Sequence, residues 1–266
     1  MSGAKSGSVT SGATAIAYDL ESERKLIVAL DLPDPAEARD AWQALALSQA
    51  VCKVGLELIM AGGLELAKSL AADGVPVFVD AKLLDIANTV ERATARVADL
   101  GVSFLTVHTP DRATAEAAAR GREGRALKLL GVTVLTSLTE ASLKQQGVAG
   151  APGEIALRRA AFAADAGFDG VVSSPLEARS LKRAFKDRLL VVCPGVRPDG
   201  GSAVRGDDQQ RVATPAEALL AGADYIVVGR PILAAPDPAA AARQILVEMA
   251  AALESADRKQ RQLPAG

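Results

Sequence analysis

The sequence predicts an α/β fold, a parallel (β/α)8 barrel of TIM type, on three observations. Eight short apolar runs rich in β-branched residues alternate with Ala- and Leu-rich stretches of helical period. The runs are apolar almost throughout, which is how a strand reads when it is buried on both faces of a parallel sheet. The length of 266 residues suits one barrel-sized domain. A doubly wound open sheet uses the same units and is the competing architecture.

Taken in order, residues 1–24 are rich in Ser, Gly and Ala, and their one apolar patch, Ala15 to Ala17, is too short for a signal-peptide core. They read as a disordered leader. KLIVALD (25–31) is the first strand, followed by PAEARDAWQALALS (35–48), a helix begun by proline, whose Trp42 packs against the barrel. AVCKVGLEL (50–58) and GGLELAKSLAAD (62–73) form the second unit, and VPVFVDAKL (75–83) and IANTVERATARVADLG (86–101) the third. VSFLTVHT (102–109) with DRATAEAAARGR (111–122) is the fourth, and LKLLGVTVLT (127–136) with EIALRRAAFAADAG (154–167) the fifth. FDGVVSS (168–174), RLLVVCPGV (188–196) and DYIVVGRPI (224–232) are the last strands, with helices at 175–185 and 215–222. Several helices end at Gly, a favourable C-terminal cap. A single catalytic domain is expected over 25–255, with a flexible tail over 256–266. The polar stretch from Arg197 to Thr214 is too long for a simple connection and reads as a functional loop.

Composition excludes several classes. The 30 basic and 32 acidic side chains nearly cancel and aromatics make up only 3%, so neither the electrostatic footprint nor the stacking platforms of a nucleic-acid binder are there. No apolar run approaches the ~20 residues of a membrane-spanning helix. Cys52 and Cys193 sit far apart in apolar runs, as buried thiols do, which points to a reducing cytoplasm.

Charge reappears at the strand ends, where barrels of this kind gather their chemistry. Asp31 closes strand one, Lys53 lies in strand two, Asp80 and Lys82 end strand three, and Asp85 follows. Positions 80 and 82 share a face, so four charges of alternating sign converge from three neighbouring strands. A bare salt-bridge cluster is the plain alternative, but burying that many charges without a ligand is costly. At the other end of the chain, Gly229 and Arg230 close strand eight, where barrels often bind phosphate; a tight turn beside a surface arginine explains the pair equally well. His108, the single histidine, ends strand four with no visible partner and reads as a scaffold residue.

The runs KLIVALD, CKVG, DAKLLDIANT, VTVLTS, PGVRP, DDQQRVATP and VGRPI, in that order, resemble the orotidine 5'-phosphate decarboxylases. The likeness covers roughly residues 25 to 250, and the Asp-x-Lys-x-x-Asp-Ile-x-Asn-Thr string carries it most specifically. Leu83, Leu84 and Ala87 stand where that family often has an aromatic residue, a histidine and a proline, which leaves the charged skeleton intact.

The resemblance implies a barrel of the ribulose-phosphate-binding type, a homodimer, and decarboxylation of orotidine 5'-phosphate to UMP in pyrimidine biosynthesis, with no metal and no cofactor. It implies that Lys82, Asp80, Asp85 and Lys53 do the chemistry, with Asp31 and Lys53 also holding the ribose and the charge network. Asp85, Ile86 and Thr89 would reach a substrate in the other subunit, Thr136 would bond the pyrimidine, and Arg197, Gln209, Gly229 and Arg230 would surround the phosphate under the long loop. The alternatives are a Mg2+-dependent sugar-phosphate decarboxylase or aldolase of the same superfamily, and a silent nucleotide-binding barrel.

Overall fold

The computed structural model describes residues 18–198 and 212–261. The chain runs α1 (Leu20–Arg24), β1 (Leu26–Ala29), α2 (Pro35–Leu45), β2 (Val51–Gly55), α3 (Leu56–Leu58), a π-turn (Ile59–Gly63), α4 (Leu64–Ala72), β3 (Val77–Leu83), α5 (Ala87–Ala98), β4 (Phe104–His108) and α6 (Arg112–Arg122). It continues through β5 (Lys128–Val132), α7 (Glu140–Gln145), α8 (Pro152–Asp165), β6 (Gly170–Val172), α9 (Pro175–Phe185), β7 (Leu190–Cys193), α10 (Pro215–Leu220), β8 (Tyr225–Val228), α11 (Arg230–Leu233) and α12 (Pro238–Arg261).

Every strand pairs in parallel with its sequence neighbours and β8 returns to β1, so the sheet closes and the open-sheet alternative falls. Alternation along each strand then sorts the side chains. Ile27, Ala29, Val51, Phe78, Phe104, Leu130, Val192 and Val227 fill the lumen, where Phe104 meets Phe78 and Tyr225 edge-on at 6.1 and 5.5 Å. The opposite faces pack on the helix ring in the larger core, with Trp42, Cys52 and Cys193 among its buried members. Because the lumen below is filled by these apolar side chains, the polar ones that replace them higher up β2 and β3 are gathered at one end. That end is the C-terminal mouth.

Side-chain caps start the outer helices. Asp34 accepts from the backbone of Ala36 and Glu37 ahead of α2, and Thr214 with Glu217 makes a reciprocal capping box at α10.

Several boundaries differ from the sequence expectation. Residues 20–24 are not part of a loose leader. They form α1, in which Ser22 and Glu23 are buried and Glu23 accepts from the backbone of Ser48 and Gln49. Strand two stops at Gly55, and the apolar Leu56–Leu58 that follows is helical. Strand five stops at Val132; Val134 instead joins Leu143, Ile155 and Ala156 in a satellite core. Strand eight stops at Val228, and Arg230–Leu233 turns into α11. The last helix extends to Arg261, beyond the expected domain end at 255. An apolar run records burial, and helix and loop can be buried as deeply as strand.

Candidate active site

The mouth of the barrel holds a cavity of about 350 Å3, within the range of small-ligand pockets. Its wall brings together Asp31, Lys53, Asp80 and Lys82 from the first three units, Thr136 from beyond β5, Arg197 from beyond β7, and Gly229 and Arg230 from the end of β8. Two carboxylates and four cationic side chains therefore face one space. The surplus of positive charge suits an anionic ligand.

The charged residues form a chain of contacts. Lys53 Nζ lies 2.9 Å from Asp31 Oδ1 and 3.5 Å from Asp80 Oδ2, and Lys82 Nζ lies 2.7 Å from that same Asp80 oxygen. Lys53 and Asp80 are buried, Lys82 is half-buried, and the Asp31 side chain opens to the cavity mouth. Burial acts against the charge of Lys53 and Asp80, yet both keep it. Desolvation pulls the Lys53 pKa down, but Asp80 and Asp31 outweigh it and the ammonium ends above its ordinary value. Desolvation likewise pushes Asp80 up, and Lys53, Lys82 and the Thr106 hydroxyl bring it below the usual carboxylate range.

Local backbone places these groups. Lys53 stands one alternation above Val51 on the lumen face of β2, and Asp80 one above Phe78 on β3. Val79 pairs with Leu105 but Leu83 pairs with Val107, so β3 carries two extra residues and bulges there. Lys82 sits in that bulge with φ of +47°, a left-handed conformation uncommon for a side chain of its size. Simple alternation, which puts positions 80 and 82 on one face, thus leads to the right neighbours through a backbone that is not a plain strand.

Two residues that the sequence reading passed over complete the cluster. Thr106 Oγ1 donates to Asp80 Oδ1 at 2.8 Å and accepts from the Lys82 N–H at 2.9 Å. Gly55 leaves space for the Lys53–Asp31 pair, since a β carbon there would lie 2.6 Å from Asp31 Oδ1 and 2.9 Å from Lys53 Nζ. A polar Thr inside the apolar β4 run, one residue beyond the Leu105 that pairs with Val79, was the available signal for the first.

Three expected residues lie elsewhere. Asp85, Ile86 and Thr89 do not line the cavity; they are exposed where β3 passes into α5, with Ile86 72% exposed. Gln209 and most of the long polar loop lie outside the described residues. His108 ends β4 half-buried, and burial with Arg159 and Lys82 nearby lowers its pKa, so the ring is neutral near pH 7. Among the described residues, no group of three His, Cys, Asp or Glu is arranged to hold a metal ion, and no helix is long and apolar enough to cross a membrane.

Comparison with known proteins places the fold and the sequence together. A family model described as "Orotidine 5'-phosphate decarboxylase / HUMPS family" matches residues 24–245. The chain is 47% identical over 235 residues to the orotidine 5'-phosphate decarboxylase of Nitrobacter winogradskyi, covering 88% of this chain and 96% of that one. It is 48% identical over 231 residues to the enzyme of the same name from a Methylobacterium species, covering 86% and 96%. The crystal structure of orotidine 5'-phosphate decarboxylase from Lactobacillus acidophilus superposes with a TM-score of 0.74 at 35% identity, over 85% of this chain and 99% of the other. A match over most of the chain, relatives near half identical and a shared closed barrel carry one conclusion: the chain belongs to the orotidine 5'-phosphate decarboxylase / HUMPS family.

Proposed function

We propose that the protein decarboxylates orotidine 5'-phosphate to UMP and CO2, the step that yields UMP in pyrimidine biosynthesis, without a metal ion. The observation that carries this reading is the Asp31–Lys53–Asp80–Lys82 chain opening into the same cavity as Arg197 and Arg230. A substrate that carries both a carboxylate and a phosphate matches that set of lysines and arginines.

In the reaction, the bond from C6 of the pyrimidine to its carboxyl carbon breaks and CO2 departs. The electron pair stays on C6 with no adjacent carbonyl to delocalise it, so the catalyst must stabilise localised charge. Lys82 lies beside C6 in this reading. Its ammonium stabilises the developing anion and then delivers the proton that completes UMP, taking another from solvent afterwards. Asp80 keeps Lys82 charged and aimed, and also faces the departing carboxylate. Repulsion between two carboxylates ~4 Å apart is roughly 1 kcal/mol in water and 4 kcal/mol at an effective dielectric near 20. Enzymes lower barriers by roughly 8–23 kcal/mol, so repulsion is the minor share and preorganised stabilisation by Lys82 the major one. Asp31 and Lys53 hold the ribose, Thr136 bonds the base, and Arg197, Gln209, Gly229 and Arg230 hold the phosphate, whose binding energy supports the chemistry at the far end.

The metal-dependent sugar-phosphate reading is disfavoured by Lys53. Its ammonium stands between Asp31 and Asp80 and contacts both, taking the place that a divalent cation shared by those carboxylates would need. A spectrophotometric assay with orotidine 5'-phosphate and EDTA separates the readings. Undiminished turnover is expected; turnover that EDTA abolishes indicates a metal enzyme, and UMP binding without CO2 release indicates a silent barrel.

The working unit in this proposal is a homodimer in which Asp85, Ile86 and Thr89 of one protomer complete the site of the other. Exposed apolar side chains at this end of the barrel support it: Leu84, 59% exposed, precedes Asp85, and Met60, 80% exposed, follows the adjacent strand β2. Cytoplasmic location rests on the two cysteines, both buried free thiols, with burial pushing Cys52 up to about 12.

A further inference from the structure

We infer that Thr106 is a positioning residue for Lys82, tying the backbone of that lysine to the carboxylate that holds its ammonium. The inference rests on the reading of Lys82 as proton donor.

Three hydrogen bonds and one side chain close a ring. The Lys82 N–H donates to Thr106 Oγ1 at 2.9 Å, Thr106 Oγ1 donates to Asp80 Oδ1 at 2.8 Å, and Asp80 Oδ2 receives Lys82 Nζ at 2.7 Å. The covalent side chain of Lys82 completes the circuit. One hydroxyl therefore fixes both the root and the head of the lysine, and it must act as donor and acceptor together.

The site needs such a fastening. At the bulge the β3–β4 register shifts, and Lys82 adopts φ of +47°, a conformation that persists only where surroundings enforce it. Thr106 is fully buried on the neighbouring strand, with its own backbone locked in the β4–β5 ladder through Leu130. It is a rigid post against which a strained residue is held. A buried hydroxyl that only satisfied the Asp80 carboxylate would have no reason to contact the Lys82 backbone as well. The second contact is what turns a hydrogen-bond partner into a positioning device.

The test compares Thr106→Val, which keeps shape and loses both bonds, with Thr106→Ser, which keeps the hydroxyl. Turnover of orotidine 5'-phosphate is measured beside the affinity for UMP, counted per folded site. The valine variant is expected to lose on the order of 10²-fold in kcat, the scale of an ångström of misplacement, with UMP affinity nearly unchanged; the serine variant retains most of kcat. Full turnover in the valine variant, or equal losses in kcat and UMP affinity, overturns the inference. If the valine chain fails to fold, Thr106→Ala, which also loses both bonds, takes its place, and full turnover there overturns it equally. An inactive wild type defeats the decarboxylase reading alone. Crystal structures of the variants then decide: Lys82 is expected to keep its left-handed backbone and its bond to Asp80 in the serine variant and to lose them in the valine or alanine variant.

Discussion

Gly55 and Asp31 are fitted to each other: a β carbon at position 55 would stand 2.6 Å from Asp31 Oδ1, closer than van der Waals contact allows. The backbone there has φ of −89°, open to any residue, so the glycine is required by its neighbours and not by its own torsion. Gly55→Ala is therefore expected to fold with a melting temperature near that of the wild type and to lose roughly 10²-fold in kcat/KM, because Asp31 and Lys53 must both shift. Steady-state kinetics beside thermal unfolding check this, and a variant with intact kinetics shows that the pair has slack.

Lys82→Ala removes the proposed proton donor from a half-buried position at the mouth, while the lumen packing below is untouched. Turnover is expected to fall almost to the uncatalysed rate with the circular dichroism spectrum preserved. A folded variant that still releases CO2 assigns the proton to another group.

Asp80 and Lys53 make stability depend on pH in opposite directions. The folded Asp80 carboxyl lies below its ordinary value of 3.8, so its contribution is whole above that pH and is lost as pH falls through the folded value. The folded Lys53 ammonium lies above 10.5, so its contribution is whole below that pH and is lost as pH rises through the folded value. Between about pH 5 and 9 neither group titrates in either state, and their joint contribution is flat. Asp80→Asn leaves two ammoniums facing a neutral amide and is expected to lower stability by about 3 kcal/mol at pH 7. Its unfolding midpoint also declines less steeply below pH 4 than that of the wild type. Urea titrations across pH measure both, and parallel acid limbs contradict the assignment.

Arg230 opens the short helix α11 and lines the same cavity as the Asp80–Lys82 pair. Arg230→Ala is expected to cut kcat/KM for orotidine 5'-phosphate by 10²-fold or more, since a charge-assisted bidentate contact contributes roughly 3 kcal/mol. Against orotidine, which has no phosphate, the loss is expected to be small. Equal losses on both substrates place Arg230 outside the phosphate site.

The charged skeleton was legible in the sequence because it breaks a pattern. Asp31, Lys53, Asp80 and Lys82 are polar residues at the ends of apolar runs, and period-two alternation assigns positions 80 and 82 to one face. What alternation does not encode is the extra length of β3 between Val79 and Leu83, since a bulge is a property of two strands paired and not of one. Thr106 was hidden for the same reason, as its meaning comes from its bond to Asp80 on the neighbouring strand. The ends of strands two, five and eight were hidden differently: Leu58, Val134 and Ile232 are as buried as any strand residue, yet helices and loops bury them. Buried Glu23 in α1 shows that a polar, Ser-rich opening does not exclude order where a carboxylate meets two backbone N–H groups.

The dimer proposal leads to a test by complementation. Lys82 lines the cavity of its own barrel, whereas Asp85 stands outside that cavity, exposed, three residues further on. If Asp85 serves the partner's site, then Lys82→Ala and Asp85→Asn fall on the same site when the two variants meet in one dimer. One site of the heterodimer then carries both substitutions and the other carries neither. Random mixing of two nearly inactive variants makes half the dimers mixed, each with one intact site, so roughly a quarter of wild-type turnover per subunit should return. Mixing two chains that both carry Lys82→Ala returns none. Without any recovery in mixed dimers, as verified by mass, Asp85 acts within its own subunit, which requires the β3–α5 loop to fold over its own cavity. Two mutations three residues apart thus separate the two arrangements, because only in the proposed dimer do Lys82 and Asp85 of one chain serve different sites.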